Sequence, residues 1–179
     1  PLVISEIYYH PPDLAGGADN SADEFIEVQN IGGAPVPLFH AAFPTNTWHL
    51  RGDVDFNFPT NVTLPAGGFA LLVPFAPTNA TALAAFRARF SVPPGVPVFG
   101  PWSGQLNNAS GEVRLTKPGT PLLGETPQIT ADEVDYTDAA PWPGTPDGHG
   151  ASLQIIFDGI YGNDPFSWVA GAPGAGATY

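Results

Sequence analysis

Cysteine is absent from this chain of 179 residues, and so is methionine. Without cysteine the protein has no disulfide, no thiolate metal site and no cysteine nucleophile. Long apolar runs are missing too, since none approaches the roughly 18 residues that a membrane-spanning helix needs. These absences exclude disulfide-stabilised scaffolds, thiolate metalloproteins and helical membrane proteins.

Basic side chains are scarce: five Lys and Arg residues stand against 17 Asp and Glu residues, which gives a formal net charge of −12. Such a surface repels phosphate backbones and releases few counterions, so we expect no nucleic-acid binding. It is equally unsuited to docking on anionic membranes. The acidity suits calcium binding, or simply a solvated surface.

Glycine and proline are abundant, with 21 and 22 residues, and they separate short apolar runs. Prolines at this density exclude a helical bundle, because each removes a backbone donor and clashes with the preceding turn. Hydrophobic residues make up 43% of the chain, enough for a globular core. The pattern predicts an all-β fold, an antiparallel β-sandwich with one short helix.

Two strand-like segments open the chain, at residues 2–12 and 24–38. Each contains glutamate inside an apolar run: Glu6 in the first, and Glu24 and Glu27 in the second. The continuous apolar run at residues 69–73 is typical of a strand that is covered on both faces. Further strands are predicted at residues 96–102, 111–116, 134–136 and 152–156, and residues 163–169 are predicted to be the last structured piece.

Residues 79–90 form the one predicted helix, capped by Thr78 or Asn79, with Leu83, Phe86 and Phe90 on a common face. We expect this helix to plug one end of the sandwich. Residues 170–179 are rich in Gly, Ala and Pro, with little to bury. They predict a tail or linker that follows a single domain of residues 1–169.

Several short motifs, taken in their order and spacing, resemble the lamin-tail domain of the bacterial secreted type, which is found beside CotH-like kinase domains. The matching positions are residues 2–9 and 24–30, residues 56–58 with 64–67, residues 100–104, residues 106–107 with 111–112, residues 134–136 before 141–143, residues 147–148 before 152–153, and residues 163–164 with Trp168. The resemblance implies an immunoglobulin-like sandwich. The chain departs from the nuclear type, since it has neither a heptad region nor a basic patch.

The same resemblance implies a non-catalytic interaction or spacer module of a larger secreted or cell-surface bacterial protein, with a protein or cell-surface partner. Recognition would occur by edge-strand pairing or loop contacts. The alternative function is a calcium- or carbohydrate-binding accessory module that targets an attached catalytic domain.

Catalytic motifs are not found in the sequence. The histidines His10, His40, His49 and His149 are scattered without HxH or HExxH spacing, and there is neither a phosphate loop nor a nucleophile elbow. A catalytic site needs a nucleophile, a base and an orienting group within reach of one another. We therefore predict that the chain is not an enzyme and that calcium is its one candidate cofactor.

The candidate calcium ligands are Glu6, Glu24 and Glu27 from the two opening strands, with Asp19 and Asp23 from the loop between them. If the strands pair, the glutamates would lie close together and would raise one another's pKa values or attract a cation. The alternative is that they face solvent or accept hydrogen bonds at the strand edges. We expect the second role, because calcium takes about six to eight converging oxygens.

Two tryptophans, Trp102 and Trp142, stand beside Gly and Pro in predicted loops. An exposed indole there could stack on a sugar or on a partner side chain. Packing in the core is the alternative, since aromatic residues commonly fill a small sandwich. Trp48 and Trp168 are predicted to lie in the core.

Overall fold

The computed structural model describes residues 1–157 and 159–176. Its main elements are β1 (Leu2–Tyr8), β2 (Phe25–Asn30), β3 (Val36–Pro37), β4 (Phe39–His40), β5 (Phe43–Thr47), β6 (His49–Gly52), β7 (Val54–Asn57), β8 (Thr63–Leu64), β9 (Phe69–Leu72), α1 (Ala80–Arg89), β10 (Val98–Phe99), β11 (Ser103–Gly104), β12 (Ser110–Pro118), β13 (Gln128–Thr137), β14 (Ser152–Ile155) and β15 (Trp168–Gly171). Short 3-10 helices at Ser21–Asp23 and Pro165–Ser167 precede β2 and β15. Of the helices in these described ranges, none is long and apolar enough to cross a membrane.

Two sheets form the sandwich. Six strands lie in the order β10-β9-β2-β1-β14-β15, and five lie in the order β11-β7-β6-β12-β13. Neighbouring strands are antiparallel except for β9 and β10, which run parallel. The predicted all-β sandwich with one short helix is therefore confirmed for the described part of the chain.

The main core fills the space between the two sheets. Alternate residues of each strand point inward, so that Ile4 and Ile26 of the larger sheet pack in one cluster with Leu50, Val113 and Val134 of the smaller sheet. All five are less than 1% exposed. Residues of the opposite parity in β1 and β2 therefore face outward.

A second apolar cluster covers the outer face of the larger sheet. The ring of Phe25 lies 5.9 Å from that of Phe86 and 5.1 Å from that of Phe90, both centroid to centroid, and Leu71 joins the same cluster. Helix α1 therefore lies across the outer face of the sheet, and our expectation that it plugs one end of the sandwich is wrong. The helical period indicates which residues are buried, but not the surface on which they pack.

Local features of the sequence predicted two details of this layer correctly. Asn79 caps α1, because its side-chain oxygen accepts a hydrogen bond from Ala82 N at 3.2 Å. The apolar run at residues 69–73 is covered on both faces, since Leu72 belongs to the main core and Leu71 to the outer cluster.

The segment after β15 completes the outer layer. Ala175 is 1% exposed and packs in the outer cluster, and Gln154 Nε2 donates to Ala172 O at 2.8 Å. The prediction of an unpacked tail from residue 170 is therefore wrong for residues 170–176, and residues 177–179 lie outside the described residues. Small residues bury little area, but here their backbone N–H groups find acceptors on the sheet.

Candidate functional site

Glu6 and Glu27 lie directly opposite each other on β1 and β2, and each is fully buried. An extra residue in β1, Ser5, shifts the strand register at this point, and its hydroxyl donates to Glu27 Oε1 at 2.7 Å. Ser152 and Gln154 of β14 donate to Glu6 Oε1. The pair therefore lies on the outer face of the larger sheet among polar side chains.

The C-terminal segment closes over this pair. Gly174 N donates to Glu6 Oε1 at 3.3 Å, and Gly176 N donates to Glu27 Oε2. Burial raises the pKa of Glu27 to about 8; the donors Ser5 and Gly176 act against that rise and the carboxylate of Glu6 adds to it. At neutral pH Glu27 is therefore mainly protonated, so that the two carboxyl groups do not repel each other as two full charges.

Glu24 lies elsewhere, at one end of the main core. It stands two residues before Ile26, so its side chain points to the same inward face, and it is fully buried. Its Oε2 accepts a hydrogen bond from Leu106 N at 3.3 Å, whereas its Oε1 is buried without a hydrogen-bond partner. Burial raises the pKa of Glu24 to about 8, with the hydrogen bond from Leu106 opposing and the charges of Asp19 and Asp53 adding to the rise.

The loop that follows β11 brings further oxygens to Glu24. Asp19 accepts hydrogen bonds from Gln105 Nε2 and from Asn108 Nδ2, the latter at 3.3 Å. The Oδ1 atom of Asn108 is itself buried and has no hydrogen-bond partner. Asp53 binds the same loop, since its Oδ2 accepts a hydrogen bond from Asn107 N at 3.0 Å. We call Glu24, Asp19 and Asn108 the end cluster.

A histidine–carboxylate group adjoins the end cluster. Single ligand atoms of His10, Asp13 and Asp19 lie within 4.8 Å of one another, the one such group of three found among the described residues. His10 Nδ1 lies 2.5 Å from Asp147 Oδ1, and its Nε2 lies 3.6 Å from Asp13 Oδ1. His10 was not a predicted ligand, because no local spacing links it to Asp19.

The five predicted calcium ligands thus separate into three places. Glu6 and Glu27 form one buried pair, Glu24 and Asp19 belong to the end cluster, and Asp23 is bound to Arg89 Nη1 at 2.6 Å. The strands do pair as assumed. Glu24, however, has the opposite parity to Glu27, so the sheet places them on different faces.

Neither predicted stacking tryptophan presents its ring to a ligand. Trp102 is 6% exposed and Trp142 is 8% exposed, and both pack in the main core with Trp48 and Trp168. The Trp142 and Trp168 rings lie 6.3 Å apart, centroid to centroid. The Gly and Pro residues beside these tryptophans predicted the loops correctly, but they do not determine the direction in which the indole points. The hypothesis that Trp102 and Trp142 stack on a ligand is therefore not supported.

A groove of about 650 Å³ follows the edge of the smaller sheet. Ile129 and Thr130 of β13 lie along one side, and Ile160 and Tyr161 of the loop before β15 lie along the other. Ile129 is 47% exposed and Tyr161 is 71% exposed, with the exposed rings of Phe157 and Phe166 on the same loop. The signal in the sequence was this run of apolar residues within a loop, which we did not single out.

Only part of the β13 edge is open. Strand β13 is the last strand of its sheet, and β12 is its one strand partner in the described chain. Residues 128–131 are exposed. Beyond them Asp132 Oδ2 accepts from Ile4 N at 2.8 Å, and Asn163 Oδ1 accepts from Asp135 N at 2.7 Å, so that β1 and the loop before β15 cover the rest.

No protein-family model matches the chain, and neither a curated protein nor a solved structure matches it. The resemblance to the lamin-tail domain therefore stays a prediction that is based on the sequence motifs.

Proposed function

We propose that this chain is a non-catalytic, immunoglobulin-like interaction module of the lamin-tail type, part of a larger secreted or cell-surface bacterial protein, and that it binds an extended segment of a partner protein along the open edge of β13. The observation that carries the proposal is the groove in which residues 128–131 leave one strand edge unpaired beside Ile160 and Tyr161.

An open strand edge offers backbone donors and acceptors that an added strand can pair with. In this mode of recognition the main-chain hydrogen bonds supply affinity, and pockets for alternate side chains supply specificity. Ile129, Ile160 and Tyr161 would form such a pocket. The net charge of −12 would favour segments whose apolar residues are flanked by basic ones.

A non-catalytic role is supported by the surroundings of the histidines. In the part of the chain that the structure describes, His10 makes a short contact with Asp147, but no serine or threonine hydroxyl is bonded to its ring. His40 Nδ1 accepts from a backbone N–H, and His149 Nδ1 contacts a backbone oxygen. None of these three histidines is therefore arranged as the base of a nucleophile.

The substitution Ile129→Lys tests the proposal. A lysine on an open edge discourages the pairing of a further strand, and the position is exposed, so the fold should tolerate it. We expect affinity capture from the surface and extracellular proteins of the host, quantified by mass spectrometry, to show at least tenfold less of the partner, a loss of about 1.4 kcal/mol.

The matched control is Leu123→Lys, which adds the same charge at an apolar residue that is 96% exposed and lies outside the groove. It should capture the partner as the unmodified domain does. An unchanged set of captured proteins with Ile129→Lys would contradict the proposal.

A further inference from the structure

We propose that the end cluster binds one calcium ion through Glu24, Asp19 and Asn108. These polar residues lie at one end of the apolar main core. This site is separate from the β13 groove. No residue of the end cluster lines that groove.

The first argument is that two buried oxygen atoms have no hydrogen-bond partner. Glu24 Oε1 and Asn108 Oδ1 are both acceptors, and each is shielded from solvent. A buried acceptor without a donor is destabilising, and more so when the group is charged. A cation satisfies several such acceptors at once.

The second argument is that one loop holds these atoms together. Leu106 N binds the other oxygen of Glu24, while Asn108, two residues later, binds Asp19 through its Nδ2. Because Nδ2 is used in this way, the amide of Asn108 presents Oδ1 as a free acceptor. The loop therefore brings an amide oxygen and two carboxylates to the same end of the core.

The third argument concerns charge. The described ion pairs use His10, Arg51, Arg89 and Arg114, and none of them includes Glu24, Asp19 or Asp53. The charges of Asp19 and Asp53 thus act on Glu24, and no described basic side chain forms an ion pair with any of the three. Uncompensated charge in a buried place is costly unless the group is neutralised or coordinates a metal.

The ligand atoms select the kind of ion. All are oxygens from carboxylate and amide groups, which are the ligands of hard cations. Calcium accepts irregular geometry with water completing its shell of about six to eight oxygens, whereas magnesium demands a near-ideal octahedron. With two carboxylates and one amide we expect weak binding, with a dissociation constant of about 10⁻⁴–10⁻³ M, as in extracellular modules.

Calorimetric titration of the chelator-treated domain with calcium chloride tests the site. We expect one binding event and, when calcium exceeds the dissociation constant about tenfold, a rise in Tm of about 3–6 °C. Terbium, bound in place of calcium, should luminesce on excitation of the nearby tyrosines. Magnesium at the same concentration should give a smaller shift in Tm.

Two variants and one control locate the ion. Glu24→Gln, which keeps the size of the side chain and removes its charge, should weaken calcium binding at least tenfold, and Asn108→Asp should strengthen it. Glu125→Gln removes an exposed acid elsewhere and should change nothing. The proposal would be overturned if calcium binding released no heat and terbium did not luminesce, or if Glu24→Gln bound calcium as tightly as the unmodified domain. Glu24 would then be a protonated core residue.

Discussion

The domain should lose stability as the pH rises from about 5 to about 8, the reverse of what most acidic groups cause. The pKa of Glu27 is raised from 4.5 to about 8 in the folded state. The folded protein therefore holds a proton that the unfolded chain releases above its own pKa of 4.5. The stabilisation is fully present below that value, declines through the interval and is lost as the pH passes about 8.

The size of this effect is large because Glu27 is fully buried. One unit of pKa difference corresponds to about 1.4 kcal/mol, so Glu27 alone contributes on the order of 4 kcal/mol across the interval. Glu24 shifts in the same direction and adds to the decline. Urea unfolding at several pH values between about 5 and about 8 measures the slope directly.

Substitutions of Glu27 and Glu24 separate their contributions to the slope of stability against pH. Glu27→Gln mimics the protonated carboxyl: its one oxygen can accept from Gly176 N, and its NH₂ group can donate to the hydroxyl of Ser5. It should therefore remove about half of the slope and raise stability at about pH 8. The double variant with Glu24→Gln should lose most of the slope. Glu125→Gln, at an exposed position, should follow the unmodified domain. A slope that persists in the double variant would show that these carboxyl groups are not its source.

Phe86→Ala should destabilise the domain by about 3–5 kcal/mol, because it removes the ring that joins α1 to the sheet. The Phe86 ring packs against Phe25 at 5.9 Å, Phe90 at 5.0 Å and Phe75 at 5.6 Å, all between centroids. Loss of this contact leaves a cavity in the outer cluster. Urea unfolding gives the change in free energy, and hydrogen exchange shows where it acts: α1 and residues 172–176 should lose protection first.

Leu83→Ala is the matched control on the same helix. Leu83 is half-buried and does not belong to the outer cluster, so its loss should cost about 1 kcal/mol. Equal costs for Phe86→Ala and Leu83→Ala, or protection lost first from β6 and β12, would mean that α1 is not held on the sheet by this cluster.

Sequence patterns located helix α1 and the strands β1, β2, β9, β12 and β14, because these depend on the local alternation of residues, but they located only residues 134–136 of β13. The strand at residues 69–73, buried on both faces, and the cap at Asn79 are examples. The surface on which α1 packs depends on contacts between distant residues such as Phe25 and Phe86. A contact between residues so far apart in the chain produces no local pattern in the sequence.

The carboxylates show the same limit. Strand parity alone could have placed Glu24 and Glu27 on opposite faces of the sheet. That placement would have excluded a cluster of all three glutamates. The partners could not have been predicted: Glu24 meets Leu106 and Glu27 meets Gly176, both far along the chain. The tail was misjudged for a related reason, since its backbone N–H groups donate to buried carboxyl groups and Ala175 packs in the outer cluster.

Photo-crosslinking from Tyr161 tests most directly whether the open edge of β13 is a binding surface. A benzophenone amino acid in place of Tyr161, in the full-length protein on its own host, should form an adduct with a protein segment, and sequencing of the adduct should identify that segment. The same probe in place of Leu123, which is more exposed than Tyr161 but lies outside the groove, should form none. No adduct from Tyr161, or equal yields from both positions, would contradict the proposed function.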